Sequence, residues 1–167
     1  MNIKLIKATE QDATKIANLA RKIWLAHYID IISIEQIEYM LHLMYSAESL
    51  KEQMLQKKQE FYLITDNDVL RGYISFTKEN NDNYFIHKFY IDTIEQNKGI
   101  GTQSFDLLLA QLINCKEVRL AVNRHNYKSI NFYFKLGFRI EKLLNTDIGN
   151  NYFMDDFVMG KIVRSNM

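Results

Sequence analysis

A glycine-containing turn follows a strand-like segment near the middle of the chain. The segment Phe89 to Glu95 leads into Gln96-Asn97-Lys98-Gly99-Ile100-Gly101-Thr102, where an amphipathic helix begins. Glycine lets the backbone approach a ligand closely, and the first turn of a helix leaves N–H groups without intrahelical partners. Such a turn suits a pyrophosphate. We therefore expect an anionic cofactor here, with contacts from Phe89, Ile91, Gln96, Asn97, Lys98, Gly99, Ile100, Gly101 and Thr102.

The spacing excludes the two commonest phosphate-binding motifs. A P-loop has Gly-Lys-Ser/Thr in succession, whereas Lys98 precedes Gly99 here. A dinucleotide fingerprint has a third glycine where this chain has Ser104. The remaining pattern, QxxGxG, is on its own equally consistent with a structural turn and with a ligand site.

A second strand, turn and helix follow the first. They comprise Val118 to Val122 and then Asn126 to Leu136, ending before Gly137-Phe138. QxxGxG followed at these spacings by Asn126, Ser129, Tyr133 and Gly137-Phe138 resembles the GNAT superfamily of acetyl-CoA-dependent N-acetyltransferases. The resemblance is specific over residues 84 to 140 and implies acetyl-CoA as co-substrate, with no metal.

The resemblance implies roles in the second helix. In the family the residue matching Tyr133 points at the coenzyme A sulfur, and the one matching Asn126 hydrogen-bonds the pantetheine amide; Ser129 joins the cofactor contacts. Because Asn126 and Tyr133 are two helical turns apart, they share one helix face. A phenol with a pKa of ~10 can protonate a thiolate with a pKa of ~8.5 at a cost of only ~2 kcal/mol. Tyr133 is therefore our predicted acid, against the alternative that it belongs to an aromatic core with Phe132, Phe134 and Phe138.

The base that accepts the amine proton is less sharply defined. His87 shares a strand face with Phe89 and Ile91 and is our predicted catalytic base, although a lone strand histidine is often a packing or surface residue. The family often has a glutamate on this face. Asp155 and Asp156 on the last strand are candidates for holding a cationic amine or relaying its proton, or else form a polar pair on an edge strand.

The early helices are expected to supply the acceptor site. Trp24, His27 and Tyr28 lie on one helical face, and Trp24 and Tyr28 are our predicted substrate contacts. Most such stripes are core. The arrangement from Ile23 to Leu55, with His87 to Ile91, resembles bacterial polyamine acetyltransferases of the PaiA type, which implies a small polycationic amine.

Composition favours one domain over residues 1–167. The chain is 47% apolar and has no Pro/Gly/Ser-rich linker, so it can bury one core. With 21 basic and 20 acidic side chains, neither nucleic acid nor an anionic membrane is an expected partner. No apolar run is long enough to span a bilayer, and Lys4 and Lys7 interrupt the first segment, so we expect a cytoplasmic protein. Cys115 is the single cysteine and is expected to be a buried thiol.

Hydrophobic periodicity predicts the order βαααβββαβαββ, an α/β fold with a mixed sheet in a single layered domain, as in the GNAT fold. Thr9, Ser33 and either Ser46 or Ser49 are the expected caps of the first three helices, and Asp66-Asn67-Asp68 the turn of a hairpin. The fourth helix is predicted over 98–114, and the last turn over 147–151.

These observations predict acetyl transfer from acetyl-CoA to a primary amine by direct attack in a ternary complex. The alternatives are an acyl-CoA-binding or sensing domain without catalysis, and an acetyltransferase acting on protein N-termini or lysines. The acceptor and the oligomeric state stay open, a homodimer included.

Overall fold

The computed structural model of the protein describes residues 1–92 and 99–163. Its helices and strands follow the predicted order: β1 (Ile3–Lys7), α1 (Ala13–His27), α2 (Ile34–Tyr45), α3 (Ala47–Leu55), β2 (Glu60–Asp66), β3 (Val69–Lys78), β4 (Asn83–Ile91), α4 (Ile100–Gln111), β5 (Glu117–Asn123), α5 (Tyr127–Lys135), β6 (Arg139–Gly149) and β7 (Tyr152–Ile162). The strands are arranged as β1-β2-β3-β4-β5-β7-β6, and the sheet is mixed. The predicted α/β fold class is confirmed.

Two compact units make up the described residues. The first comprises residues of 1–77 and 88–111, and the second residues of 78–87 and 112–167, so that β4 contributes to both. Each unit is described by itself below. The expectation of a single domain stays a prediction.

Helices α2 and α3 of the first unit begin at serine residues whose side chains cap them. Ser33 Oγ accepts a hydrogen bond from the Gln36 amide at 3.1 Å, and Ser46 Oγ one from the Ser49 amide at 3.2 Å. Ser46, not Ser49, is therefore the cap of α3. Thr9, the expected cap of α1, is instead the N-cap of a single helical turn, Glu10–Asp12, where its amide donates to the Asp12 carboxylate at 3.1 Å; Asp12 is the residue before α1. Side-chain capping of this kind typically contributes ~1 kcal/mol to a helix.

The core of the first unit lies where α1, α2 and α3 contact one another and along β2 and β3. Its fully buried side chains include Ile16, Ile23, Ile37, Leu50, Ile64 and Ile74. The β2–β3 hairpin turns at Asn67 and Asp68, whose φ angles of 48° and 64° match the two-residue turn typical of hairpins. Helix α4 packs against β1 and ends at Gln111, three residues before the predicted end.

In the second unit, β5 lies between β4 and β7, and β6 pairs with the other side of β7. The first half of β4 runs parallel to β5, with Asn83 opposite Glu117 and Ile86 opposite Leu120. Strand β7 is antiparallel to both β5 and β6. Strand β6 extends to Gly149, so the last turn narrows to Asn150 and Asn151, which both have positive φ. The buried side chains of this unit include Val118, Leu120, Val122, Phe138 and Met159.

Candidate active site

The glycine turn is described from Gly99 onward; Gln96, Asn97 and Lys98 lie outside the described residues. Gly99 has a φ of 83°, a conformation that favours glycine, and its carbonyl accepts from the Gln103 amide at 3.1 Å as α4 begins. Among the described residues, a Cβ placed on Gly99 would meet only Met1 Cε, at 3.7 Å. With respect to residues 1–92 and 99–163, the backbone is therefore open on this side, as close approach of a ligand requires. Ile100 is buried, Gly101 is half-buried and Thr102 is exposed.

The end of β4 is fixed before it reaches that turn. The Asp92 amide donates to the Arg71 carbonyl at 2.7 Å, and the Asp92 carboxylate forms an ion pair with Lys22 at 2.6 Å. A Cβ at Gly72 would collide with the Tyr90 carbonyl oxygen, so only glycine lets β3 approach β4 this closely. Phe89 and Ile91, both half-buried, lie on this anchored segment, and the Phe89 ring stacks near Phe105 with centroids 6.4 Å apart.

Helix α5, in the second unit, carries the predicted acid. Asn126 is the N-cap: its Oδ1 accepts from the Ser129 amide at 3.2 Å, and only 3% of the residue is exposed. Tyr133 is buried near the other end of the helix, with its ring centroid 5.5 Å from those of Phe132 and Phe138. Both residues thus lie on the buried side of α5. The aromatic contacts of Tyr133 also agree with a packing role, so its acid function stays a prediction.

The two aspartates on β7 have different environments. Asp155 forms an ion pair with Arg124 at 2.7 Å, and its carbonyl accepts from the Arg124 amide at 3.0 Å. Asp156 is buried, with 7% of its surface exposed. Burial raises the pKa of Asp156 to about 6, and the neighbouring Asp155 charge acts in the same direction.

His87, the predicted base, is exposed on β4. Its ring lies 5.0 Å from that of Phe85, so the two side chains share one side of the strand. The role of His87 as base stays a prediction.

Trp24 and Tyr28 lie in an aromatic cluster inside the first unit. The Trp24 ring centroid is 4.4 Å from that of Tyr28, 5.0 Å from that of Tyr45 and 6.0 Å from that of Tyr90. The Tyr90 hydroxyl lies 3.4 Å from the Tyr45 hydroxyl and 3.5 Å from the Tyr28 hydroxyl. Burial raises the pKa of Tyr45 and of Tyr90, so these phenols stay neutral. The close ring contacts favour a packing role for Trp24, whereas Tyr28 brings a hydroxyl to this network.

Sequence reasoning missed Lys88, a buried amine in the first unit. Its Nζ donates to Gln53 Oε1 at 2.6 Å and lies 4.9 Å from the centre of the Tyr45 ring. Burial, together with a smaller contribution from the Lys57 charge, lowers the pKa of Lys88 to about 7. Strand alternation was the available signal, because Tyr84, Ile86 and Lys88 are all buried at every second position.

Comparison with known proteins identifies the family. Residues 29–145 match the acetyltransferase (GNAT) domain. The chain belongs to the GNAT acetyltransferase family. Since that match covers most of the chain, the predicted N-acetyltransferase activity and its acetyl-CoA co-substrate are confirmed at the level of the family.

Among proteins similar to this GNAT chain, a spermidine N(1)-acetyltransferase of Thermoplasma acidophilum is 28% identical over 163 residues, covering 93% of this chain and 97% of the relative. A spermine/spermidine N(1)-acetyltransferase of Bacillus subtilis strain 168 is 28% identical over 115 residues, covering 65% of this chain and 76% of the relative. The crystal structure of the PaiA N-acetyltransferase of Thermoplasma acidophilum in complex with coenzyme A superimposes with a TM-score of 0.77 at 25% identity, over 98% of this chain and 100% of that one.

Two further predictions concerned membrane-spanning segments and the burial of Cys115. None of the helices in the described residues has the length and apolar character needed to cross a membrane. Cys115 is buried as expected, and burial raises the pKa of its thiol.

Proposed function

We propose that this protein acetylates a primary amine of a small polycation such as spermidine or spermine. The observation that carries the proposal is the similarity to a spermidine N(1)-acetyltransferase across 93% of the chain. An unneutralised buried carboxylate, Asp156, adds support because it would attract a cationic acceptor. A small-molecule acceptor and a cytoplasmic location, where acetyl-CoA is available, are parts of the same proposal.

In the first unit, the backbone around Gly99, Ile100, Gly101 and Thr102 would bind the pyrophosphate of acetyl-CoA. The open side of Gly99 and the start of α4 at Ile100 support this role, since helix N-termini favour anions. Gln96, Asn97 and Lys98 are proposed to complete the turn. Phe89 and Ile91 would present β4 backbone groups to the thioester, and one backbone N–H there would stabilise the oxyanion.

In the second unit, Asn126 and Ser129 would contact the pantetheine arm, and Tyr133 would protonate the departing sulfur. Asn126 Oδ1 is used as the helix cap, so its amide Nδ2 is the group we assign to the pantetheine carbonyl. Among the described residues, His87 and Asp156 are the two candidates for taking the amine proton.

The test is an acetyl-CoA-dependent screen over spermidine, spermine, monoamines, amino acids, N-terminal peptides and aminoglycosides, with detection of the acetylated product by mass. We expect the polyamines to give the highest kcat/KM. Faster acetylation of peptides or aminoglycosides would overturn the acceptor proposal while leaving the family assignment intact. Coenzyme A binding without any acetylated product would indicate a non-catalytic acyl-CoA-binding protein.

A further inference from the structure

Asp155 and Asp156 are adjacent carboxylates on β7 with different electrostatic environments. Asp155 is neutralised by Arg124 at 2.7 Å. Within the described part of the chain, no hydrogen bond or ion pair involves the side chain of Asp156, although the residue is more than nine-tenths buried. A buried carboxylate without a partner is costly, and groups of this kind are concentrated at functional sites.

The register of the second unit places Asp156 at the carboxyl end of β5. Asp156 is paired with Asn123, the last residue of β5, on one side and with Leu144 of β6 on the other. The Asn123 carbonyl accepts from the amide of Asn126, the cap of α5. In open sheets with parallel strands, ligands bind at the carboxyl ends of those strands, and β4 and β5 are parallel.

Asp156 and His87 lie on the same face of these strands. Phe85 is opposite Arg119, which is opposite Gly160, so these three side-chain positions share a face. Alternation along each strand then puts His87, two residues after Phe85, and Asp156, four residues before Gly160, on that face as well. His87 and Asp156 are therefore alternative candidates for the residue that accepts the proton of the acceptor amine.

We infer that Asp156 is the general base that receives the ammonium proton of the acceptor amine. This inference rests on the proposed amine acetylation. The substrate is an alkylammonium, whose charge supplies the partner that the carboxylate lacks in the fold.

The proton and bond changes balance as follows. The ammonium gives one proton to Asp156, which passes it to solvent after the product leaves. The neutral nitrogen attacks the thioester carbonyl carbon, so that a C–N bond forms and the C–S bond breaks. The departing thiolate takes a proton from the Tyr133 phenol, and the second proton lost by the nitrogen returns through solvent to that phenol.

The electrostatic surroundings of Asp156 fit a base that works near neutral pH. Burial raises the pKa of Asp156 to about 6, with Asp155 on the same strand contributing. The charged groups on its face of the neighbouring strands include Arg139, Glu141 and Lys142 on β6, Arg119 on β5 and His87 on β4. Arg119 is held by Glu117 at 3.1 Å and by Glu141 at 3.1 Å, so its charge is largely compensated.

The main experiment compares Asp156→Asn with Asp68→Asn, the same chemical change on the exposed β2–β3 turn. With spermidine and acetyl-CoA, we expect Asp156→Asn to lower kcat by about 10²- to 10³-fold and to remove the acid limb of the pH profile, because general bases contribute factors of this size. Asp68→Asn should retain both. Calorimetric titration with coenzyme A checks that the variant still binds its cofactor.

The inference and the proposed function fail in different ways. If the wild-type protein acetylates no amine in the panel, the proposed function is wrong. If it does, and Asp156→Asn keeps the wild-type rate and acid limb, Asp156 is not the base. Should Asp156→Asn fail to fold, His87→Gln decides: persistence of the acid limb supports Asp156, and its loss overturns the inference. The temperature dependence of that limb gives an independent check, since carboxylate ionisation has a small enthalpy and imidazole ionisation a large one.

Discussion

Lys88 in the first unit and Asp156 in the second are both buried ionisable groups without an oppositely charged partner among the described residues. Lys88 nevertheless has a hydrogen-bond partner. Its amine donates to Gln53 at 2.6 Å, and the Gln53 side chain itself donates hydrogen bonds to Met44 and Ser49. In the part of the chain that the structure describes, Asp156 has no such neighbour. Lys88 and Asp156 are equally buried, but they lead to different conclusions. A buried polar group with a partner can serve packing alone, whereas one without a partner is a candidate for binding a ligand.

The largest expected effect tests whether the second unit supplies the chemistry. Tyr133→Phe should lower kcat roughly 10³-fold, because the thiolate loses its acid, while leaving the Kd of acetyl-CoA nearly unchanged. Steady-state kinetics and calorimetry measure the two quantities. Tyr84→Phe is the matched control: it removes a buried phenol of the same unit, which donates to the Ile113 carbonyl at 3.1 Å, and should spare kcat. An unchanged kcat in Tyr133→Phe would assign Tyr133 to the aromatic core.

Stability should show the cost of leaving Asp156 without a partner. Its pKa is about 6 in the folded protein against an ordinary value of 3.8, so the carboxylate is protonated more readily when folded. The folded state is therefore penalised as pH rises through this range, and the penalty is absent below it. Asp156→Asn should raise the free energy of unfolding at pH 8 by about 2 kcal/mol and have little effect near pH 4. Urea denaturation at both pH values is the measurement; a loss of stability at pH 8 would mean that the charge has a partner.

The first unit is expected to contribute binding, and Gly99→Val tests this. A β-branched residue at a φ of 83° is strained, and its side chain would occupy the side on which we propose that coenzyme A binds. We expect coenzyme A to bind about tenfold more weakly. Gly149→Val, at a φ of 85° in the β6–β7 turn, imposes similar strain elsewhere and should leave the Kd unchanged. Equal losses of affinity in both variants would point to strain alone.

The smallest effect on turnover is expected for the partnered amine, Lys88. Lys88 has a pKa of about 7 in the folded protein against 10.5 ordinarily, so folding favours its neutral form. The free energy of unfolding should rise with pH between about 7 and 10, by an amount on the order of several kcal/mol. Lys88→Met should flatten that rise without changing kcat. Denaturation at pH 7, 8, 9 and 10 measures it, and a slope retained in Lys88→Met would place its origin elsewhere.

The element order and most helix starts could be predicted because they depend on local patterns. Apolar spacing set the helices, and Ser33 marked the start of α2. The choice between Ser46 and Ser49 could not be made, since both precede apolar residues at suitable positions. The predicted end of α4 and the predicted start of the β6–β7 turn differ from the structure by a few residues. Helix packing and strand pairing, rather than local sequence preference, determine these boundaries.

The electrostatic identity of the site depends on neighbours that sequence does not reveal. Asp155 and Asp156 are chemically equal in the chain, and only the register of β7 against β5 brings Arg124 to the first and leaves the second buried. The same holds for Lys88. Alternation along β4 places its side chain on the buried face, but the hydrogen bond that satisfies the buried amine comes from Gln53 of α3. The environments of Asp156 and Lys88 both depend on tertiary contacts, which cannot be predicted from the sequence of one segment.

The placement of Cys115 has a practical consequence for measuring turnover. It is the chain's single cysteine, 8% exposed, and burial raises the pKa of its thiol, so aromatic disulfide reagents should react with it slowly. Free coenzyme A can then be titrated continuously in the presence of the enzyme with little background colour. A cysteine introduced at an exposed site would likewise carry a fluorescent label at a single position.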